Sequence, residues 1–383
     1  MTDTTYFRLK LIVFALVSAS FTNVYITQPV LPILQDEFAV DLVLVSFSIS
    51  AVILGIAISN LPFGILVDRY PIQPIVLVGG VMVAVGGIVC ASTENFWVMI
   101  AARFVQGLFI PALTTCLAAY LAKTLPLSSL SVVMGSYVSA TVLGGLGGRL
   151  LGGWIHEPLH WRYAFITAAA FILVATFMAV KWLPKSSRSP GIHLKPVSFI
   201  ELLKQKELLL IFLCAMGSFS IFSSVFNYLP FRLEGDPFNF STENITLMFL
   251  VYIVGIFMGP TAGRLSNRFG SGNTLLLGSL IFGLALLLIL VPSVIAIVIG
   301  LIGVCMGFFM IHAAAVGALN KKLTSGHGRA NALYVLFYYV GGGLGITAAG
   351  FAYKQGGWTV MILLSMVLLI IPISTGLHEK KQL

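Results

Sequence analysis

The chain has 383 residues, 58% of them hydrophobic and only 9% charged, with a formal net charge of +9 and a mean hydropathy of +1.01. A water-solvated globule carries about 25% charged residues and is excluded; a disordered chain, which needs low hydrophobicity, is excluded as well. The main solvent is therefore lipid, and the basic excess bears on topology rather than on nucleic acid.

A membrane span takes about 20 mostly apolar residues. Twelve such stretches follow in chain order, at 9–34, 43–66, 75–93, 96–121, 130–153, 162–183, 208–231, 244–265, 273–292, 294–319, 330–353 and 357–377. The first follows Arg8 and Lys10 and runs on into Gln28-Pro29-Val30-Leu31-Pro32, as a retained helix rather than a cleaved signal. With the N-terminus inside, the inner segments hold most of the 22 Lys and Arg, whereas the outer ones hold only Arg162, Arg232 and Lys354. That asymmetry predicts two cytoplasmic termini. Trp97, Trp154, Trp161 and Trp358 are expected at outer boundaries and Trp182 at an inner one. Cys90, Cys116, Cys214 and Cys305 fall in apolar runs without metal-binding spacing, as buried thiols.

The spans divide six and six around a basic connection. Residues 1–183 form a first half, 184–207 a cytoplasmic linker and 208–383 a second half. The halves share a nearly constant offset. Gly64-Ile-Leu-Val-Asp68-Arg69-Tyr70 pairs with Gly263-Arg-Leu-Ser-Asn267-Arg268-Phe269. Tyr137, Gly144, Gly145 and Gly148 pair with Tyr334, Gly341, Gly342 and Gly345, and Trp161 pairs with Trp358. Two parallel six-helix repeats make a transporter architecture, all-α, with the substrate site expected between the halves near mid-membrane.

Polar side chains identify the helices that should line a path. Spans 3, 6, 9 and 12 are nearly pure aliphatic, as suits lipid. Others carry Tyr25/Gln28, Arg103/Gln106, Ser220/Ser224/Asn227 and Tyr334/Tyr338 at helical spacing. Polar groups in hydrocarbon must face protein or water, so a cavity or interhelical hydrogen bonds are implied.

These residues resemble the major facilitator superfamily across essentially the whole chain. Gly64-x-Leu-x-Asp68-Arg69 is similar to the first half of its loop 2–3 signature, with Tyr70-Pro71 where Gly-Arg-Lys would follow. Arg103-Phe-Val-Gln106-Gly107 resembles the RxxQG motif of its fourth helix. Span 5, Gly135-x8-Gly144-x3-Gly148-Arg149-x2-Gly152-Gly153, is similar to the antiporter motif of the drug/proton antiporter, arabinose-efflux-type branch, with Arg149 in place of proline. Gating then falls to Asp68, Arg69, Asn267 and Arg268 on inner turns and to Gly144 and Gly148, whose smooth face serves as a moving interface or as static packing.

All 13 Asp and Glu lie near interfaces or in loops, so the embedded ionisable groups are Arg103, Arg149 and His312. An Arg at depth costs at least about 2.5 kcal/mol and needs a partner or a task. Arg103 either bonds loose backbone carbonyls or serves the substrate or the proton path. Arg149 either snorkels outward, meets an anionic substrate group, or pairs with an outer-rim carboxylate such as Asp36 or Glu37. His312, with an ordinary pKa of about 6.5, is a proton carrier or a permanently neutral hydrogen-bonded ring.

The resemblance implies a secondary transporter of a small organic compound across a bacterial inner membrane, working by alternating access and coupled to protons, with efflux by antiport. Tyr25, Gln28, Arg103, Gln106, Arg149, Asn227, Tyr334 and Tyr338 are the substrate-binding candidates, and His312 the proton-coupling one. The rival is an organic-anion transporter, for a polycarboxylate or carboxylate siderophore, working inward or outward. A transport-dead sensor and a membrane enzyme are other classes. The enzyme is disfavoured because neither a P-loop nor an HExxH or GxSxG context occurs. No cofactor, metal or nucleic acid is expected; the partners are the substrate, protons and the bilayer, and the chain is expected to be monomeric.

Overall fold

A computed structural model describes residues 3–125, 127–183, 198–323 and 325–381, apart from the side chains of 3–6, 68 and 127–132. The Asp68 carboxylate and residues 184–197 of the expected linker therefore lie outside the described residues. The rest is helical, without a strand among the described residues.

In chain order the helices are α1 (Asp3–Tyr25), α2 (Leu31–Glu37), α3 (Leu42–Val45), α4 (Phe47–Arg69), α5 (Ile72–Ser92), α6 (Phe96–Leu113), α7 (Thr115–Thr124), α8 (Leu127–His156) and α9 (Trp161–Trp182). They continue as α10 (Phe199–Lys204), α11 (Lys206–Glu234), α12 (Thr242–Met248), α13 (Val254–Phe269), α14 (Ser271–Leu288), α15 (Val294–Lys322), α16 (His327–Leu368) and α17 (Ile370–Lys380). Local chemistry sets the ends. Asn95 caps α6 by accepting from the backbone N–H of Trp97 and Val98, and Gly270, at φ 86°, turns the chain after α13 where a side chain would be strained.

Ten helical lengths among the described residues are long and apolar enough to cross a membrane. The expected twelve differ from that number at two places. The last length, His327–Lys380, has 54 residues and takes in both expected final spans, because non-helical Gly356 and Gly357 bend α16. The 30-residue α8 is not among the ten, which are counted over the described residues, and the side chains of 127–132 at its start lie outside them.

The chain forms two compact units. The first comprises 1–40, 47–191 and 241–249, the second 41–46, 192–240 and 250–383. Each repeats one packing scheme. In the first, α1 packs on α8, α4 on α6, and α5 on α6 and α9. In the second, α11 packs on α16, α13 on α15, and α14 on α15 and α17.

Close approach of α1 and α8 depends on absent side chains. A Cβ on Gly144, Gly148 or Gly152 would run into the carbonyl oxygens of Ser18, Thr22 and Ile26. The second unit repeats this, where Gly341 and Gly345 of α16 abut Met216 and Ser220 of α11. Both glycines assigned to gating thus pack on α1 within their own unit. Gly148→Val is expected to destabilise the detergent-solubilised protein by about 1–3 kcal/mol through overpacking. Gly147→Ala is the control, because its Cβ would meet only Thr22 Oγ1 at 3.7 Å and the helix gains propensity. Equal melting temperatures for the two variants would refute the zipper.

The tryptophans divide. Trp97, Trp154 and Trp182 are exposed, as interfacial indoles should be. Trp161 and Trp358 are buried instead. The Trp161 Nε1–H donates to Glu37, and the Trp358 Nε1–H donates to the Ile289 carbonyl at 3.0 Å. These repeat-related rings close helix junctions rather than anchoring in headgroups, because burial of the indole requires an acceptor that tertiary packing supplies.

Candidate functional site

In the first unit, α1 ends at Tyr25 and a short 3-10 turn, Gln28–Val30, carries the chain into α2. Arg149, which follows Gly148 within the glycine zipper of α8, meets this junction. Its Nε donates to Gln28 Oε1 at 2.6 Å and its Nη1 to the Gly145 carbonyl at 2.7 Å. The guanidinium carbon sits 4.0 Å from the Tyr25 ring centroid and 5.5 Å from that of Phe249. The structure thus brings Tyr25, Gln28 and Arg149 together, with Arg149 2% exposed. Burial at that level differs from outward snorkelling. Pairing with Glu37 is also not what is found: that carboxylate binds Arg162 Nη1 at 2.5 Å.

Arg103 lies on α6 and is fully buried. Its Nε donates to the Ser48 carbonyl at 2.8 Å, its Nη1 to the Asn23 carbonyl at 2.6 Å and to Gln106 Oε1 at 2.7 Å, and its Nη2 to the Val24 carbonyl at 2.6 Å. Gln106 Nε2 in turn donates to the Val83 carbonyl at 2.9 Å. The carbonyls at the end of a helix lack intrahelical donors and carry partial negative charge, so a guanidinium there replaces the missing N–H groups. Arg103 and Gln106 therefore tie α1, α4, α5 and α6 together. Their donors meet protein acceptors, the backbone-carbonyl alternative among the expected roles of Arg103.

The second unit holds an aromatic cluster. His312 on α15 has Nδ1 3.0 Å from the Tyr334 hydroxyl of α16, within hydrogen-bond distance. The Tyr338 ring lies 5.2 Å away and Phe308 stacks at 6.0 Å. Phe219 stacks on Tyr338 at 3.7 Å and 12°, and Phe222 on Phe308 at 3.9 Å and 17°. Sequence reasoning missed Phe219 and Phe222; their i, i+3 spacing on α11, continued by Phe226, was the available signal. Asn227, on the same helix, donates from Nδ2 to Ser46 Oγ at 3.0 Å. Ser46 gives its own proton to the Leu42 carbonyl, so the amide must donate to it, and Asn227 Oδ1 is left buried without a hydrogen-bond partner among the described residues.

The remaining gating candidates lie on helix ends. Arg69 is exposed at the end of α4, and the Arg268 guanidinium lies 5.1 Å from the Phe269 ring. Asn267 Oδ1 accepts from Lys321 Nζ at 3.3 Å.

Long apolar helices, one packing scheme used twice, and ionisable and aromatic side chains buried within each unit define a multi-pass membrane transporter. The chain belongs to the Major Facilitator Superfamily, whose family model matches residues 13–323 and 260–373; its members are transporters of small molecules, not enzymes. An uncharacterised transporter of Buchnera aphidicola subsp. Schizaphis graminum is 28% identical over 95% of this chain and 89% of its own length. The inner membrane transport protein YnfM of Escherichia coli K12 is 27% identical over 98% of this chain and 91% of its own. Among solved structures, a bacterial homologue of the human lysosomal transporter Spinster, inward-facing and occupied, matches with a TM-score of 0.82 at 14% identity, over 100% and 98% of the two chains. The human organic anion transporter MFSD10 matches with 0.73 at 18%, over 98% and 100%. At these identities the structural matches speak for the fold.

Proposed function

We propose that the chain is a proton-coupled secondary transporter that moves a small organic compound across a bacterial inner membrane by alternating access, in the direction of efflux. The observation that carries proton coupling is the His312–Tyr334 pair, 3.0 Å apart within the aromatic cluster of the second unit. His312 is an embedded imidazole, a side chain that can both accept and donate a proton. Tyr334 and Tyr338 are the other titratable rings that face it. Substrate contacts are assigned to Arg149, Gln28 and Tyr25 in the first unit and to Asn227, Tyr334 and Tyr338 in the second. Arg103 and Gln106 are assigned to structure. The positive-inside distribution supports cytoplasmic termini.

The Arg149 guanidinium also supports the second reading, transport of an organic anion. Gln28, Gly145 and Tyr25 orient its planar fork, which suits a carboxylate.

A thermal-shift screen that compares carboxylates and siderophores with lipophilic cations and neutral amphiphiles selects the ligand. A compound at 100 times its Kd stabilises by about 2.7 kcal/mol. That compound is then followed into inside-acid everted vesicles. Wild type is expected to accumulate it until an ionophore collapses the pH gradient. His312→Gln is expected to bind it with an unchanged thermal shift but to lose the response to the gradient. Gradient-dependent accumulation by His312→Gln would remove the histidine from coupling. Stabilisation by carboxylates alone, abolished by Arg149→Gln, would establish the anion reading.

A further inference from the structure

A cavity of about 690 Å³ lies in the first unit, where the ends of α2 and α5 meet the start of α9. Its polar part is formed by Glu37, Glu94, His160 and Arg162. Glu37 is already engaged. It accepts from Arg162 and from the Trp161 indole, and His160 Nε2 lies 3.7 Å away. Arg162 also donates from Nη2 to the Thr93 carbonyl at 2.8 Å, which joins the three helix ends. Glu94 is different: it is exposed and has no ion pair among the described residues. Two carboxylates against one guanidinium leave the cavity a formal excess of negative charge.

The apolar part of the cavity shows what kind of molecule brings the matching charge. Tyr163 and Ile166 are about half-exposed, and they begin a stripe on α9 that continues through Ala170, Val174 and Phe177, all exposed. This i, i+3, i+7, i+11, i+14 pattern is one face of a helix, about 21 Å long at 1.5 Å per residue. An apolar face of that length on a membrane helix is covered by hydrocarbon, and one leaflet supplies about 15 Å of it. A charged cavity that opens onto such a stripe fits a molecule with a cationic head and a long apolar chain.

We propose that this cavity is a binding site for an aminophospholipid headgroup. The primary ammonium lies on Glu94, the phosphate reaches His160 and the outer edge of Arg162, and an acyl chain follows the stripe from Tyr163 to Phe177. A choline head carries the same charge but no N–H to donate to a carboxylate. An anionic glycerol head is repelled by Glu37 and Glu94. On the charge topology of the loops the leaflet is the outer one. The site rests on the reading of the chain as membrane-spanning and is independent of what is transported.

The test is native mass spectrometry of the full, delipidated chain titrated with dioleoyl phosphatidylethanolamine, phosphatidylcholine and phosphatidylglycerol, with dodecylammonium as a headgroup without phosphate. Wild type is expected to retain the ethanolamine lipid at least about fivefold over the other two lipids. Glu94→Gln is expected to bring that ratio to about one, with an unchanged melting temperature, while Glu157→Gln outside the cavity leaves it intact. His160→Gln is expected to weaken the ethanolamine lipid but not dodecylammonium, which separates the phosphate contact from the ammonium contact. Equal retention of the three lipids, preference for phosphatidylglycerol, or an ethanolamine preference that survives Glu94→Gln overturns the proposal. Binding of dodecylammonium without the ethanolamine lipid overturns it too and leaves a site for free amphiphilic cations.

Discussion

Arg103→Met is expected to be the most damaging single substitution for the fold, lowering stability by about 2–5 kcal/mol. The guanidinium makes four buried hydrogen bonds, three of them to the backbone carbonyls of Asn23, Val24 and Ser48. Interhelical hydrogen bonds within membranes average only about 0.6 kcal/mol each, which sets the lower bound. A buried acceptor left without any donor costs about 1–3 kcal/mol, which sets the upper one. Removal of the buried charge offsets part of this, because the desolvation cost of the cation disappears with it. That compensation works fully only when every partner of the charge is replaced as well, and backbone carbonyls cannot be replaced. Arg103→Lys keeps the charge but not the fork, so it should rank between Met and wild type. Gln106→Leu should be milder, about 1–2 kcal/mol, since it removes the bond to the Val83 carbonyl and one of the four acceptors of Arg103 but leaves the other three. Melting temperatures and monodispersity in detergent check the series. A normal melt for Arg103→Met, with transport alone lost, would return Arg103 to the substrate site.

Arg149→Gln is expected to have the largest effect on activity, reducing transport of a stabilising ligand by one to two orders of magnitude while the fold survives. A charge-assisted hydrogen bond contributes about 1.5–3 kcal/mol, and each 1.36 kcal/mol is a factor of ten in rate. The contrast with Arg103 lies in the partners. Around Arg149 the acceptors include one amide side chain and one carbonyl of its own helix, and Gly145 O can return to the helical ladder when the guanidinium leaves. Arg149→Lys separates charge from geometry. It keeps the cation but loses the planar stack 4.0 Å from Tyr25, so an intermediate rate is expected. Tyr25→Phe keeps the ring and should remain near wild type, whereas Tyr25→Leu should resemble Arg149→Lys. Proteoliposome uptake with melting temperatures measured alongside distinguishes these outcomes. Full activity in Arg149→Gln would leave that guanidinium a helix clamp and nothing more.

Both arginines were legible from sequence as embedded charges in need of a task, and sequence left two roles open for Arg103. Only the structure shows which carbonyls Arg103 meets, since backbone carbonyls are the same at every residue and leave no mark in the side-chain pattern. The small-residue spacing on α8 predicted close approach in the same way, yet not which helix approaches. It is α1, more than a hundred residues earlier in the chain. The coupling candidate shows the same division. His312 stood out by its ionisation, whereas the stacks that surround it join α11, α15 and α16 and exist only once those helices pack.

What the sequence determined by itself is therefore whatever depends on local composition and on repetition. The apolar runs specify helices that need lipid, the asymmetry of Lys and Arg predicts a topology, and the offset between Tyr137 and Tyr334 or Trp161 and Trp358 specifies a duplicated unit. Tertiary structure alone decided partnership: that Trp161 and Trp358 close helix junctions instead of facing headgroups, that Glu37 holds Arg162 and not Arg149, and that Asn227 keeps an acceptor unmatched among the described residues. The physical reason is range. Hydrophobic burial is read by each residue against its solvent and so survives in periodicity. A hydrogen bond or a ring stack is satisfied by whichever group packing brings within about 3–4 Å, and no pattern along one helix names that group.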